Sequence, residues 1–255
     1  MAKVCLDAGH YGKYNRSPVA PEYYESDMTW KLHNYLAAEL EAYGIEVVHT
    51  RSKKDVDLDL VTRGRMAAGC DLFVSLHSNA FGSEAVDYPL ACCLVDDDKT
   101  GIDEISMEIG LDLARCVAKV MNTTGTARTM QRKLNSGADY YAVLRGAKSV
   151  GVPGVLLEHS FHTNTSAAKW LMDSDNLHRL AAAEASVIAI RLGVAAPSTD
   201  AEDVWYRVQT GAFITKANGQ RQLEKLLAAG FAACLVKVGA WHKVQVGAYR
   251  YELNA

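Results

Sequence analysis

The sequence has little of several features that mark particular protein classes. Only five of its 255 residues are proline, hydrophobic residues make up 49% and charged residues 22%, which excludes collagen-like, mucin-like and wholly disordered chains. There is no excess of basic residues, since the formal net charge is −3, and no global surface for nucleic acid is expected. No apolar stretch approaches the roughly 20 residues that cross a bilayer, and the first residues show no apolar segment of the signal-peptide kind. We therefore expect a globular protein, made in the cytoplasm, with no membrane insertion and no nucleic-acid partner.

Paired cysteine motifs are missing as well. The six cysteines include no Cys-x-x-Cys pair, and a chain without an export signal keeps its thiols reduced. Cys92 and Cys93 are adjacent, so on a strand their side chains point to opposite faces. We expect buried thiols rather than disulfides.

Most of the chain alternates short apolar runs with longer amphipathic segments. The runs predict strands at residues 3–6, 45–50, 72–76, 89–95 and 155–157. The three- and four-residue spacing of apolar side chains predicts helices at residues 26–43, 58–68, 103–122 and 166–193, the last with a break near residues 173–176. Strands that alternate with such helices predict an α/β fold, a doubly wound, mostly parallel sheet with helices on both faces.

The composition changes near residue 200. Residues 195–203 are rich in Ala, Pro, Ser, Thr and Asp, as linkers are. Residues 203–255 carry a net charge of +4, whereas the preceding residues carry −7. We therefore predict one domain over residues 1–194, a linker over 195–203 and a second domain over 204–255.

The second domain contains an internal repeat. The segment Trp205–Phe213 matches Trp241–Tyr249 at an offset of 36 residues, with a predicted helix (219–229) and strand (231–236) between the copies. The pattern predicts a small α+β module of order β-α-β-β. A unit of about 50 residues is near the lower limit for folding alone, so we expect it to need a partner, either the larger domain or a second chain.

Ionisable residues collect where the predicted parallel strands end, which is where open α/β sheets place their sites. His10, His77 and Glu158 follow three of these strands, and Glu25 lies directly before the first predicted helix. Two histidines and a carboxylate with an open fourth position form the usual ligand set of a catalytic zinc. A further carboxylate would then move protons. On spacing alone, a turn histidine, a helix-start carboxylate and a core histidine remain alternative interpretations of His10, Glu25 and His77.

The sequence motifs around these residues are more specific than their spacing. The segments LDAGHYG, YYESDMTWKLHNYLAAELEAYGIEVVHTR, LDLVTRGRMA, CDLFVSLHSNA, YYAVLR and VPGVLLEHSFHTN occur in one order. Together, over residues 3 to about 193, they resemble the zinc-dependent N-acetylmuramoyl-L-alanine amidases of the amidase-3 type, which are bacterial autolysins and phage endolysins.

The resemblance implies a doubly wound α/β fold and one catalytic Zn²⁺ in residues 1–194. It also implies hydrolysis, by zinc-activated water, of the amide joining N-acetylmuramic acid to L-alanine of the peptidoglycan stem peptide. The implied metal ligands are His10, Glu25 and His77, and the implied catalytic residue is Glu158. His159 departs from the family, where a small or hydroxylated residue is common, and is left as a possible contact to substrate or zinc.

The tail is similar to SPOR-type modules, which bind peptidoglycan glycan strands. The segments VWYRVQTGAF, LLAAGFAACLV and AWHKVQVGAY carry this resemblance, while a second helix and a last strand are missing. A truncated SPOR-like module implies wall binding or dimerisation, and we expect a homo-oligomer formed through it.

The sequence leaves two other functions open. One is a zinc peptidase that cuts within the stem peptide, and the other is a non-catalytic cell-wall-binding protein. The complete set of four residues argues against the second. For an amidase made without a signal peptide, we expect action on the wall after release from the cell. His162 and Asn79 are further candidates for substrate contact, and Arg63 is expected to form a structural ion pair.

Overall fold

A computed structural model describes residues 1–97, 101, 103–195, 206–229, 231 and 233–249. The chain divides into two compact units, Met1–Pro197 and Ser198–Ala255. Apart from Ala195, the predicted linker lies outside the described residues, and so does Trp205. The domain boundaries at 194 and 204 therefore stay predictions.

The first unit is built on a six-stranded sheet. In chain order its elements are β1 (Lys3–Ala8), α1 (Glu25–Ala42), β2 (Glu46–His49), α2 (Leu60–Arg65), β3 (Leu72–Asn79), β4 (Leu90–Cys93), α3 (Glu104–Met121), β5 (Arg128–Met130), α4 (Ala142–Ser149), β6 (Gly154–Phe161), α5 (Thr165–Met172) and α6 (Ser174–Arg191). The strand order is β2-β1-β3-β6-β4-β5. Strands β2, β1, β3 and β6 run parallel, while β4 is antiparallel to β6 and parallel to β5. The predicted, mostly parallel α/β sheet is confirmed.

The sheet is covered on both faces because its strands bury alternate side chains in two separate clusters. Val4 and Leu6 of β1 join a large cluster with side chains of α1, α3, α5 and α6. Cys5 joins a smaller one with side chains of α4 and of the segment after α2. Cys92 and Cys93 are buried free thiols in different clusters, as the adjacency rule predicts.

Helices α2 and α4 cross closely over the second face. A Cβ atom on Gly64 would lie 2.0 Å from the carbonyl oxygen of Val143, and one on Gly146 would lie 2.3 Å from that of Val61. Two glycines are therefore needed for this contact. The crossing brings Arg63 and the start of α4 to the edge of the cavity described below.

The sequence-based elements agree with the structure except for two. The predicted break in the last helix is confirmed, since Asp173 ends α5 and caps α6 by accepting a hydrogen bond from the backbone N–H of Asn176. Strand β5 and helix α4 were not predicted. Among the described residues, no helix is both long and apolar enough to cross a bilayer.

The second unit has the predicted order β-α-β-β. Its elements are β7 (Tyr206–Phe213), α7 (Lys216–Ala228), β8 (Ala233–Val238) and β9 (Trp241–Tyr249). The strands form an antiparallel sheet in the order β7-β9-β8. Gly219 of α7 packs near Leu235 and His242, and Val244 is fully buried, so α7 covers the sheet face that carries these strand residues.

Candidate metal centre

The loop that follows β1 places His10 at the carboxyl edge of the sheet. The backbone N–H of Gly9 donates to the carbonyl of Leu76 at 3.1 Å, and the carbonyl of Gly9 accepts from the Thr29 hydroxyl at 2.8 Å. His10 itself has a φ of 61°, a region that few non-glycine residues adopt. The bonds on either side of Gly9 hold this turn and aim the imidazole at α1.

Glu25, the first residue of α1, lies between the two histidines. Its Oε2 atom is 3.1 Å from His10 Nε2, and its Oε1 atom is 2.9 Å from His77 Nδ1. One ligand atom from each of these three residues lies within 4.8 Å of the others. The arrangement brings together two imidazole nitrogens and a carboxylate that are separated by up to 67 residues in sequence.

Further donors hold the Glu25 carboxylate in place. The side-chain amide of Asn15 donates to Oε2 at 2.6 Å, and the backbone N–H of Ser78 donates to Oε1 at 2.9 Å. Burial alone would raise the pKa of Glu25, but hydrogen bonds and charge from His10 and His77 outweigh burial and hold that pKa well below its usual value. Glu25 is therefore an ionised carboxylate.

Glu158 lies beside this group on β6. It is paired with His77 in the parallel register of β3 and β6, and only 9% of its surface is exposed. Its Oε2 atom is buried with no hydrogen-bond partner among the described residues. Burial, followed by the negative charge of Glu25, raises the pKa of Glu158 well above its ordinary value. A buried carboxyl oxygen without a partner is costly, so this position calls for a cation or a proton.

All four residues open into one cavity of about 580 Å³. One wall carries Arg63 and Asp7, whose Nη1 and Oδ1 atoms lie 3.6 Å apart, both side chains being almost fully buried. Arg63 also contacts Asp57 at 3.3 Å, so the structural ion pair predicted for it is confirmed. The rest of the lining combines aliphatic residues, such as Leu60, Val143 and Leu156, with polar and aromatic ones, among them Tyr11, Tyr14, Asn15, Ser78, Asn79, Tyr141 and His162.

The donor set fits a zinc ion. Two imidazoles and one carboxylate beside a cavity are the kind of ligand set that catalytic zinc prefers, and these three residues would hold the ion. The orphaned Oε2 of Glu158, next to a second buried carboxylate, supplies an independent reason for a cation. Among the described residues, His10, Glu25 and His77 form the one such group of three or more potential ligands.

The structure thus brings the four residues singled out from the sequence, His10, Glu25, His77 and Glu158, into one place. Asn79 and His162 also line the cavity. His159 does not share this position. It is fully buried, and its Nε2 atom lies 2.7 Å from Glu184 on α6. The suggested contact of His159 with substrate or zinc is therefore wrong. His159 follows Glu158 on β6, and successive residues of a strand face opposite sides of a sheet.

Several residues that support the site were not predicted from the sequence. Asn15 and Ser78 hold Glu25, as described. His162 Nδ1 lies 3.0 Å from the Ser78 hydroxyl, which itself lies 2.7 Å from the Tyr23 hydroxyl. The one available signal for Ser78 and Tyr23 was their place in the motifs LHSNA and YYESD, where Ser78 directly follows His77 and Tyr23 lies two residues before Glu25.

Comparison with known families finds two matches. The profile described as "N-acetylmuramoyl-L-alanine amidase" matches residues 4–189, which include all four site residues. The profile described as "SPOR domain" matches residues 176–237 and, in a second alignment, residues 206–255.

Individual relatives point in the same direction. The chain is 26% identical over 240 residues to the N-acetylmuramoyl-L-alanine amidase CwlM of Bacillus licheniformis, covering 92% of this chain and 85% of that one. Among solved structures it is similar to the catalytic domain of CwlV, an amidase of the same description from Bacillus (Paenibacillus) polymyxa var. colistinus, with a TM-score of 0.63, 24% identity and coverage of 76% and 100%. It is also similar to Cwp6 from Clostridium difficile, with a TM-score of 0.65 and 23% identity, covering 75% of this chain but 29% of that one. At these identities the structural matches establish the fold.

Proposed function

The chain belongs to the N-acetylmuramoyl-L-alanine amidase family, and we propose that it hydrolyses the amide between N-acetylmuramic acid and L-alanine of peptidoglycan with a zinc ion held by His10, Glu25 and His77. The observation that carries the proposal is the convergence of these three ligand atoms beside Glu158 in one cavity.

Each residue has a defined task in this proposal. His10 Nε2 and His77 Nδ1 supply the neutral ligands, and Glu25 supplies the charged one. Asn15 and the Ser78 amide keep the Glu25 carboxylate oriented through the bonds given above. A zinc ion at this position would polarise a carbonyl group and lower the pKa of water toward about 7.

Glu158 is the proton carrier. Its buried position removes competing water, and burial together with the charge of Glu25 raises its pKa, which makes it a stronger base than an ordinary carboxylate. It takes a proton from the attacking water and delivers it to the departing nitrogen of L-alanine. Arg63 lies in the same wall but is bound to Asp7 and Asp57, so it does not serve as the proton donor.

Product analysis tests this function. Purified sacculi treated with the protein should release material with a free lactyl carboxylate and new N-terminal alanine, detectable by mass spectrometry. A strong chelator should stop release, and Zn²⁺ added after the chelator is removed should restore it. New termini within the stem peptide would instead show a zinc peptidase. Unaltered sacculi in the presence of excess Zn²⁺ would contradict catalysis.

The second unit adds a wall-binding function to the proposal. The SPOR match supports attachment to peptidoglycan. A module of about 50 residues is near the lower limit for folding alone, which supports self-association through this module into a homo-oligomer. Light scattering across a range of concentrations tests the second point, since a monomer at micromolar concentration would exclude it. The expectation that the protein reaches the wall after release from the cell stays a prediction.

A further inference from the structure

A buried ion pair lies behind the candidate metal centre, on the opposite side of the sheet. His159 and Glu184 are both fully buried, and His159 Nε2 lies 2.7 Å from Glu184 Oε1. Glu184 belongs to α6, which packs on the face of the sheet away from the cavity. Neither residue has a role in the proposed function, and burying such a pair is costly unless its geometry is well satisfied.

The other nitrogen of His159 contacts a proposed zinc ligand. Its Nδ1 atom lies 2.8 Å from the backbone carbonyl oxygen of His77. A carbonyl oxygen only accepts hydrogen bonds, so Nδ1 carries the proton in this contact. Glu184 accepts from Nε2 and thereby fixes the plane of the ring. His159 is held from one side and holds His77 from the other.

The backbone of His77 is where such a contact has most effect. Strands β3 and β6 pair regularly up to His77 and Glu158, but their register shifts between His77 and Asn79. The ring of His77 packs closely on Gly9, where an added Cβ would lie 2.4 Å from its Cε1 atom, so the ring is confined on that side. The position of the His77 backbone therefore sets the position of Nδ1 relative to Glu25.

From this geometry we infer that His159 is a positioning residue, oriented by Glu184, that keeps His77 in place for metal binding through its backbone carbonyl. The inference rests on the metal site proposed above. In this inference His159, which stands where a small or hydroxylated residue is common in the family, acts from the side of the sheet opposite to the cavity.

Two conservative substitutions separate this function from ordinary packing. In His159→Asn the side-chain amide nitrogen takes the place of Nδ1, so the bond to the His77 carbonyl is kept and the Glu184 contact is lost. In His159→Gln the amide nitrogen takes the place of Nε2, so the Glu184 contact is kept and the His77 contact is lost. The affinity for Zn²⁺, measured by competition with a chromophoric chelator, should fall about 10- to 100-fold in His159→Gln, as it does when other supporting contacts to metal ligands are removed. It should stay within about threefold of wild type in His159→Asn.

A buried histidine elsewhere in the fold provides the matched control. His33 is 2% exposed, and its Nε2 lies 3.1 Å from His49 Nδ1, away from the ligands. His33→Gln should lower the urea midpoint of the zinc-free protein while leaving Zn²⁺ affinity unchanged. If His159→Asn and His159→Gln weaken Zn²⁺ binding equally, or not at all, the inference is overturned although the metal site stands. If the wild-type protein binds no Zn²⁺, both are overturned.

A measurement on the unaltered chain covers the case in which the variants do not fold. The imidazole NH signals of His159 can be followed by ¹⁵N NMR in the full-length protein. Their protons should exchange slowly, and the Nδ1 signal should shift when Zn²⁺ is added, because its acceptor belongs to a ligand. A signal that does not respond to saturating Zn²⁺ would contradict the inference.

Discussion

Gly9 and His77 approach so closely that no side chain fits between them: a Cβ atom on residue 9 would lie 2.4 Å from His77 Cε1 and 2.6 Å from the carbonyl oxygen of Leu76. The second contact is with backbone, which cannot move aside without disturbing β3. The glycine of the LDAGH segment therefore serves the second histidine ligand as well as the turn that carries the first.

Substituting Gly9 by Ala should damage the metal site. We expect Zn²⁺ affinity to fall by about tenfold or more, as for the loss of other contacts that orient ligands. Gly82→Ala is the matched control, because a Cβ at Gly82 meets nothing within 4 Å. Titration with Zn²⁺ against a competing chelator measures both variants. Equal affinity in the two would show that His77 does not need this close contact.

Glu158→Gln should separate catalysis from metal binding. The amide keeps the size of the side chain but cannot carry a proton between water and the leaving nitrogen, so the hydrolysis rate on sacculi should fall by about 10²- to 10⁴-fold. The variant should still bind Zn²⁺, since His10, Glu25 and His77 remain, and the rate is compared at saturating Zn²⁺. Glu39→Gln is the control, because Glu39 is also 9% exposed but lies on α1 outside the cavity. Wild-type hydrolysis by Glu158→Gln would remove Glu158 from the mechanism.

The stability of the first unit should depend on pH through His33. Burial, with a smaller contribution from His49, lowers the pKa of His33 to about 4, whereas an unfolded histidine titrates near 6.5. Between pH 4 and 6.5 the unfolded chain therefore binds more protons than the folded chain. The free energy of unfolding should be unaffected by His33 above pH 6.5 and should fall by up to about 3 kcal/mol as the pH decreases toward 4. Urea unfolding at pH 7, 5.5 and 4.5 should show wild type losing stability relative to His33→Gln. Parallel curves for the two proteins would contradict the assignment.

The fold could be predicted from the sequence wherever periodicity is strong. The long helices α1, α3 and α6 show clear three- and four-residue spacing, and β1, β3 and β6 are apolar runs that are buried on both faces. Strand β5 has three residues with no apolar pattern, and α4 is short and contains Gly146, which its crossing with α2 requires. These elements depend on tertiary contacts that periodicity does not record.

The site could be predicted because parallel strands end at one edge of a sheet. That rule, with the family resemblance, brings His10, His77 and Glu158 together, and Glu25 at the helix start completes the set. The direction of His159 was also readable, since alternation along β6 places it opposite Glu158. The contacts of Asn15 and His162 could not be predicted from the sequence. Both residues lie outside the regular elements, where the path of the chain depends on turns such as the one at Asn15, whose φ is 56°.

Trp241 offers a test of wall binding by the second unit. It lies at the start of β9, paired with Val238, and 46% of it is exposed. Its indole is on the sheet face opposite His242 and Val244, which face α7, so it is available to stack on a sugar ring. An exposed aromatic contact of this kind contributes about 1 kcal/mol, so Trp241→Ala in the full-length protein should weaken sedimentation with sacculi by about fivefold, while hydrolysis of a soluble muropeptide stays unchanged. Phe231→Ala is the matched control, because Phe231 is 54% exposed but lies outside the strands. If both variants bind sacculi like wild type, this sheet face is not the one that holds the wall.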